Sequence, residues 1–263
     1  MWDRRLAPEL NAFRREKNLS PVEDVWYGWR LSPERVIGLF PEWFAPCPSD
    51  WPKQFVHGGF TVFDGGFGAE VPAVLHSERT PLVVFTAGSA RDAAGDFFRA
   101  ALEASDGRPW RPVLLTAGFR PDTMRRGRKL SPGAYIFDYL PLSQLLPISA
   151  LVVHHGGLGT LSLAAAAATP QLVVPFGHDQ FDNAARVERL GIGRSVRQGR
   201  GLARRLGDQI EAMLNDYDLS SRCRMLSARA RNEKALDRVC RQIESDEGRS
   251  FRFGFGADYR EAV

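Results

Sequence analysis

Two segments rich in glycine and polar residues carry the side chains that could do chemistry. The first runs from His154 to Thr160 (HHGGLGT), directly after an apolar run and at the start of an alanine-rich helical pattern. Glycines let a backbone approach a ligand closely, and the N–H groups of a first helical turn attract anions. The segment therefore predicts a phosphate site, although a glycine-rich turn with Thr160 as the helix cap explains it equally well.

The second segment runs from Pro175 to Asn183 (PFGHDQFDN), again after an apolar run. Carboxylates accept hydrogen bonds and carboxamides both donate and accept them, so this group suits the hydroxyls of a sugar. A turn rich in Asp and Asn with helix caps is the alternative interpretation. A phosphate site beside a polyol site is the layout expected of a nucleotide-sugar site.

The elements that would position these segments alternate from about residue 80 onward. Short β-branched runs and helical spacing of apolar residues follow one another, which predicts an α/β fold with a doubly wound parallel sheet. Ligands of such sheets bind at the carboxyl ends of the strands, so the expected ligand loops follow Phe85, Ile136, Val153 and Val174. The predicted strands are residues 82–86, 113–116, 135–137, 151–154 and 171–175.

The sequence on either side of this pattern is less regular. A helix is predicted over Leu6–Leu19, and a short strand over Arg35–Phe40 lies within an aromatic, proline-rich stretch from Trp26 to Pro52. These elements are too few to close a core. After the sheet, Leu202–Asp246 is predicted to form a pair of arginine-rich amphipathic helices that pack on the sheet.

Composition excludes several classes of protein. The 263 residues are 44% apolar and 25% charged, which is typical of a globular protein. No run approaches the roughly 18 apolar residues of a membrane helix, and the N-terminus lacks an apolar signal region. The 35 basic and 31 acidic residues are scattered, unlike those of a nucleic-acid-binding protein, and the three cysteines form no CxxC motif. A cytoplasmic protein is expected, with peripheral contact to a membrane left open.

The stretch from Leu82 to Val196 resembles the donor-binding half of two-domain nucleotide-sugar glycosyltransferases of GT-B fold. The resemblance is to the UDP-glycosyltransferases, in particular their bacterial and fungal sterol glucosyltransferase-like branch. The matching segments are VFTAGS at 84–89, YLPL at 139–142, HHGGLGT at 154–160, PQLVVP at 170–175 and DQFDNAARV at 179–187.

This resemblance implies a role for individual residues. The donor diphosphate would lie among Ser89, His155, Gly157, Gly159 and Thr160. Asp179 and Gln180 would hold the hydroxyls of the transferred sugar, a hexose that the Asp-Gln pair suggests is glucose. Tyr139 would stack on uracil, and the backbone of Leu140 would pair with the edge of the base.

Two positions depart from the family pattern. Leu163 stands where many relatives have Glu or Gln on the ribose, and Leu142 stands where plant members have a ribose-binding Gln. Preference for UDP over other nucleotides therefore stays open. The family works without a metal at the reaction centre, so a UDP-sugar is expected as donor substrate, with neither metal nor cofactor.

The resemblance also predicts how the chain divides. Residues 1–78 would be a remnant of the acceptor domain and the interdomain linker, 79–230 the donor domain, and 231–263 a C-terminal helix and tail. In relatives the catalytic base is a His near the start of the acceptor domain. No residue of this chain is matched to it, so the catalytic base stays unknown, and His57, His76 and His178 receive no role.

Two functions follow as alternatives. The first is transfer of a hexose from a UDP-sugar to a hydroxyl of a lipid, sterol-like or natural-product acceptor. The second is a non-catalytic nucleotide-sugar-binding or partner-activating protein. Either could require a separate acceptor-binding subunit or self-association, because linker aromatics would lose the surface that covers them. These aromatics are Trp26, Trp29, Trp43, Phe44 and Trp51.

Overall fold

A computed structural model describes residues 3–29, 31, 34–65, 69–88, 91–119, 133–231 and 234–244. The chain divides into two compact units, one of Met1–Gly59 with Lys234–Val263 and one of Phe60–Glu233. The boundaries at residues 78 and 230 that the sequence predicts for the acceptor remnant and the donor domain stay a prediction.

Within the described ranges, helices and strands follow one another along the chain. The helices are α1 (Asp3–Glu16), α2 (Ala73–His76), α3 (Arg91–Ser105), α4 (Leu142–Leu145), α5 (Leu158–Ala167), α6 (Gln180–Arg189), α7 (Leu202–Leu214), α8 (Tyr217–Arg231) and α9 (Ala235–Glu244). The strands are β1 (Val36–Gly38), β2 (Phe55–His57), β3 (Leu82–Thr86), β4 (Arg111–Leu115), β5 (Tyr135–Phe137), β6 (Leu151–His154), β7 (Gln171–Val173) and β8 (Gly193–Ser195). A π-helical turn (Val25–Trp29) and a 3₁₀ turn (Leu146–Ile148) complete the set.

The unit Phe60–Glu233 is built on a parallel sheet in the order β5-β4-β3-β6-β7-β8. This confirms the predicted doubly wound α/β fold. The strand order reverses between β3 and β6, which is where ligands of such sheets bind. Thr86 pairs with His154 and His154 with Val173, so the carboxyl ends of these three strands lie level.

The five predicted strands are present, but a sixth strand was missed. The predicted runs at residues 82–86, 113–116 and 151–154 are buried and mostly apolar, as strands covered on both faces are, whereas β5 at the edge of the sheet is only partly buried. β8 is a Gly-Arg-Ser triplet without an apolar run, and backbone hydrogen bonds fix it at the sheet edge, from Gln171 to Ile192 and from Val196 to Val173. A Cβ on Gly193 would lie 2.0 Å from the Gln171 carbonyl oxygen, so β8 needs glycine there.

The predicted C-terminal helix pair differs from the structure in two respects. The described residues of this segment form three helices, α7, α8 and α9, instead of two. In addition, α7 packs on α3 and α8 packs on α5, so these helices contact other helices more than the sheet. Side chains such as Leu206 and Ile210 supply the buried face of α7.

The unit that contains residues 3–59 holds the parallel pair β1 and β2 and a cluster of aromatic rings. Trp51 packs edge-on against Phe55 at 4.6 Å, and Phe40 stacks on Phe55 at 5.9 Å. Phe44 is buried, whereas Trp29 is 43% exposed. Phe44 was one of five aromatics expected to be uncovered, and for Phe44 that expectation is wrong. Self-association stays a prediction.

Membrane-spanning helices and metal clusters are both absent from the described ranges. No helix among these residues is long and apolar enough to cross a membrane. No group of three or more His, Cys, Asp or Glu side chains within them could hold a metal ion. Cys47, Cys223 and Cys240 are free thiols.

Candidate functional site

The turn after β6 is held by a buried histidine. His154 Nε2 lies 3.1 Å from Gln171 Oε1, and His154 Nδ1 accepts the Gly156 N–H at 3.1 Å. Burial lowers the pKa of His154 to about 3, with His155 adding to the effect and Gln171 opposing it. The imidazole is therefore neutral, with its proton on Nε2 and its acceptor nitrogen on the turn.

Protein stability is expected to fall as the pH drops from 6.5 toward 4. The folded pKa of His154 is below the ordinary value, so the unfolded chain binds more protons in this range. His154 contributes a slope of up to about 1.4 kcal/mol per pH unit. Urea unfolding at several pH values gives the change of the unfolding free energy per pH unit. This change should be smaller for His154→Gln than for wild type, whereas His76→Gln, at an exposed site, should keep the wild-type value. Equal slopes in all three proteins would contradict the assignment.

The imidazole of His155 lies in a slot between two glycines. A Cβ on Gly88, in the loop after β3, would lie 2.4 Å from His155 Cε1, and a Cβ on Gly157 would lie 2.4 Å from Nε2. The Phe176 ring is 6.0 Å away between centroids. The slot brings the loops after β3 and β6 together, as the sequence predicts.

The protonation of His155 follows from the same surroundings. Burial lowers its pKa, although the charge of Asp179 opposes this. Nδ1 is buried without a hydrogen-bond partner among the described residues. A neutral ring with its proton on Nε2 avoids burying an unpaired N–H, so Nε2 is the donor beside Gly157.

The start of α5 is open for an anion. Gly157 is the N-cap residue, and no side chain caps the helix. Thr160 therefore does not cap α5, and the interpretation of this segment as a capped turn is wrong in that respect. The N–H groups of Leu158, Gly159 and Thr160 have no acceptor within the helix. No atom lies within 4 Å of a Cβ built on Gly159, so this backbone is approachable.

The sugar-binding pair predicted from the sequence begins α6. Gln180 Oε1 accepts the N–H groups of Phe176 at 2.7 Å and Gly177 at 3.0 Å, which leaves its Nε2 for a ligand. Asp179 is exposed, and its Oδ2 accepts from Asn183 Nδ2 at 2.9 Å. Its Oδ1 has no hydrogen-bond partner within the described part of the chain.

Asn183 joins this pair to the turn after β6. Its Nδ2 donates both to Asp179 Oδ2 and to the Gly156 carbonyl oxygen, each at 2.9 Å. The sequence placed Asn183 in the polar group without a separate role. The helical spacing of Asn183, Ala184 and Val187, which form the buried face of α6, could have predicted that the Asn183 side chain faces the protein interior.

The predicted base-binding residues lie after β5. Tyr139 is 50% exposed, and its hydroxyl donates to the Asp64 carbonyl oxygen at 2.8 Å. Partial burial raises the pKa of Tyr139, and the charge of Asp64 adds to this. Leu140 is buried beside it. The sequence did not predict the contact with Asp64, because the two residues are far apart in the chain and no local pattern links them.

The other positions singled out in the sequence are Ser89, Leu163 and Leu142. Ser89 lies outside the described residues. Leu163 is buried in the apolar core with Leu75, Val84 and Val152, and Leu142 packs against the same core. Neither leucine offers a polar group to a ribose.

Comparison with known proteins gives a consistent result. Residues 114–244 match the family described as Erythromycin biosynthesis protein CIII-like, C-terminal domain. The chain is 31% identical over 258 residues to O-mycaminosyltylonolide 6-deoxyallosyltransferase of Streptomyces fradiae. This alignment covers 92% of this chain and 57% of that protein. The structure of the spinosyn rhamnosyltransferase SpnG complexed with thymidine diphosphate superposes with a TM-score of 0.67 at 22% identity, covering 89% of this chain and 60% of that one.

The predicted sterol glucosyltransferase-like branch is matched more weakly than the family as a whole. A sterol 3-beta-glucosyltransferase of Candida albicans matches at 30% identity over 118 residues, covering 45% of this chain and 8% of that protein. The 6-deoxyallosyltransferase of Streptomyces fradiae and glycosyltransferase GtfC of Amycolatopsis orientalis, which is 30% identical over 203 residues, match over more of the chain. These matches do not support a sterol acceptor or glucose. The chain spans about half the length of the curated relatives it matches.

Proposed function

We propose that this chain, which belongs to the UDP-glycosyltransferase family of GT-B fold, forms the nucleoside-diphosphate-sugar site of an enzyme that glycosylates a natural product. One observation carries the proposal. The anion-binding start of α5 and the polar start of α6 follow the adjacent strands β6 and β7 and are tied together by Asn183. A phosphate-binding group and a hydroxyl-binding group thus lie side by side.

Each part of the donor then has a binding group. The diphosphate accepts from His155 Nε2 and from the N–H groups at the start of α5, whose dipole favours an anion. Asp179 Oδ1 accepts from one sugar hydroxyl, and Gln180 Nε2 donates to another. The exposed ring of Tyr139 stacks on the base.

The transfer is a displacement at the anomeric carbon. An acceptor oxygen forms the new bond to that carbon, the bond to the diphosphate breaks, and the acceptor proton passes to a base. His155 and α5 stabilise the charge that develops on the leaving diphosphate, and such stabilisation is commonly the largest catalytic contribution.

The site is proposed to accept thymidine diphosphate as well as UDP, with no preference for UDP. Two relatives of the same fold are described in complex with thymidine diphosphate. The two positions where family members contact the ribose are apolar in this chain, since Leu163 is in the core and Leu142 packs against it. A 2′-hydroxyl therefore gains no partner at either position.

The sugar pocket also favours a sugar with few hydroxyls. The oxygen of Gln180 is occupied by the backbone of Phe176 and Gly177, and one oxygen of Asp179 is occupied by Asn183. The second carboxylate oxygen of Asp179 and the NH₂ group of Gln180 remain for the ligand. A deoxyhexose needs fewer partners than glucose, so it is the proposed donor sugar class.

Calorimetry with thymidine diphosphate and UDP tests the proposal. We expect both to bind, with UDP no tighter than thymidine diphosphate. Thr160→Ala, which removes a hydroxyl but keeps the backbone N–H, should weaken binding by about fivefold. The control Ser77→Ala, at an exposed position beyond α2, should bind as wild type does. Absence of binding by wild type, or wild-type affinity in Thr160→Ala, would contradict the proposed site.

A further inference from the structure

We propose that Asn183 is a positioning residue that sets the Asp179 carboxylate against the diphosphate-binding turn, and thereby lets the site recognise the sugar of the donor. The inference rests on the proposed function. It concerns the sugar portion alone, so it can fail while nucleotide binding stands.

The chemistry of the two contacts requires an amide at this position. Asn183 Nδ2 carries two hydrogens, and both are used, one on Gly156 O and one on Asp179 Oδ2. Both partners are oxygens that cannot donate when Asp179 is ionised. The side chain is buried, so water does not replace it readily. A double donor between two acceptors is a role that an isosteric carboxylate cannot fill.

Both ends of this bridge are components of the site. Gly156 is held from its other side by His154, and a Cβ on Gly156 would lie 3.2 Å from the Gln180 carbonyl oxygen. The turn and the start of α6 are therefore in contact at their backbones. Asp179 is exposed at the helix start, and the amide of Asn183 is the hydrogen-bond partner that orients its side chain among the described residues.

The charge of Asp179 explains why its orientation matters. A carboxylate next to a diphosphate site repels the diphosphate, and its field already acts on His155. With Oδ2 held by Asn183, the carboxylate presents Oδ1 to a sugar hydroxyl in a fixed direction. Preorganisation of this kind favours a ligand that carries the hydroxyl and does nothing for one that lacks it.

The measurement is the ratio of two affinities in one protein. Calorimetry gives the dissociation constants of thymidine diphosphate and of thymidine diphosphate 6-deoxyglucose, a sugar-bearing probe of the proposed deoxyhexose class. In wild type the sugar should improve affinity. In Asn183→Asp this improvement should fall by about tenfold or more, because both donors are lost and a second carboxylate faces Asp179. A variant that is merely less stable would lose affinity for both ligands by the same factor.

The control is Asn215→Asp, the same chemical change at an exposed position that ends α7. It should keep the wild-type ratio. If Asn183→Asp does not fold, Asn183→Ala carries the same test, because it removes the donors without adding charge. An unchanged ratio in a folded variant overturns the inference, as does loss of folding in both variants or a wild type that gains nothing from the sugar. If wild type bound neither ligand, the result would instead contradict the proposed function on which this inference rests.

Discussion

Replacement of Gly156 with alanine is expected to lower the free energy of unfolding by about 3 kcal/mol and to abolish binding of thymidine diphosphate. Gly156 has a φ of +94°, a conformation that residues with a Cβ rarely adopt. The added Cβ would also lie 2.9 Å from Val173 Cγ1 and 3.2 Å from the Gln180 carbonyl oxygen. Both neighbours belong to elements packed around the turn, so the turn itself has to move.

The chain offers a matched control three residues further on. Gly159 has no atom within 4 Å of a built Cβ and lies within the first turn of α5. Gly159→Ala should therefore keep or slightly raise stability, since alanine favours a helix over glycine by about 1 kcal/mol. Urea unfolding of both variants gives the comparison. Equal stability of Gly156→Ala and wild type would show that the turn tolerates another conformation.

The sheet could be predicted because its strands follow a simple rule. The runs at Leu82, Val113 and Leu151 are continuous and apolar, as strands buried on both faces are, and they form the centre of the sheet. Strand β8 obeys no such rule. Glycine is required at position 193 because the Gln171 carbonyl oxygen would clash with a Cβ there. This contact exists only after the sheet has formed.

The candidate site was predictable in composition but not in its hydrogen bonds. The segments at His155 and Asp179 indicate the proposed anion and hydroxyl sites through residue type alone. That Gln180 uses its oxygen on the backbone of Phe176, and that Asn183 bridges Asp179 and Gly156, depends on the tertiary contact of two loops. A pattern along one segment cannot contain such a contact.

Removal of the His155 imidazole is expected to weaken binding of thymidine diphosphate by roughly 10- to 100-fold, the range for a lost hydrogen bond to a charged group. The ring is held between Gly88 and Gly157 and beside Phe176, so little is lost in ordering it when the ligand binds. Burial keeps the ring neutral, and it donates through one nitrogen. Calorimetry of His155→Ala against His76→Ala, an exposed histidine at the end of α2, measures the effect.

His155→Phe separates the donor from the ring. Phenylalanine keeps an aromatic ring near Phe176 but has no N–H, so its affinity should fall as far as that of His155→Ala. If His155→Phe bound as wild type does, the diphosphate would be held by the start of α5 alone. The neutral imidazole would then only fill the slot between the two glycines, and the catalytic contribution proposed for it would pass to the helix dipole and the backbone N–H groups of Leu158, Gly159 and Thr160.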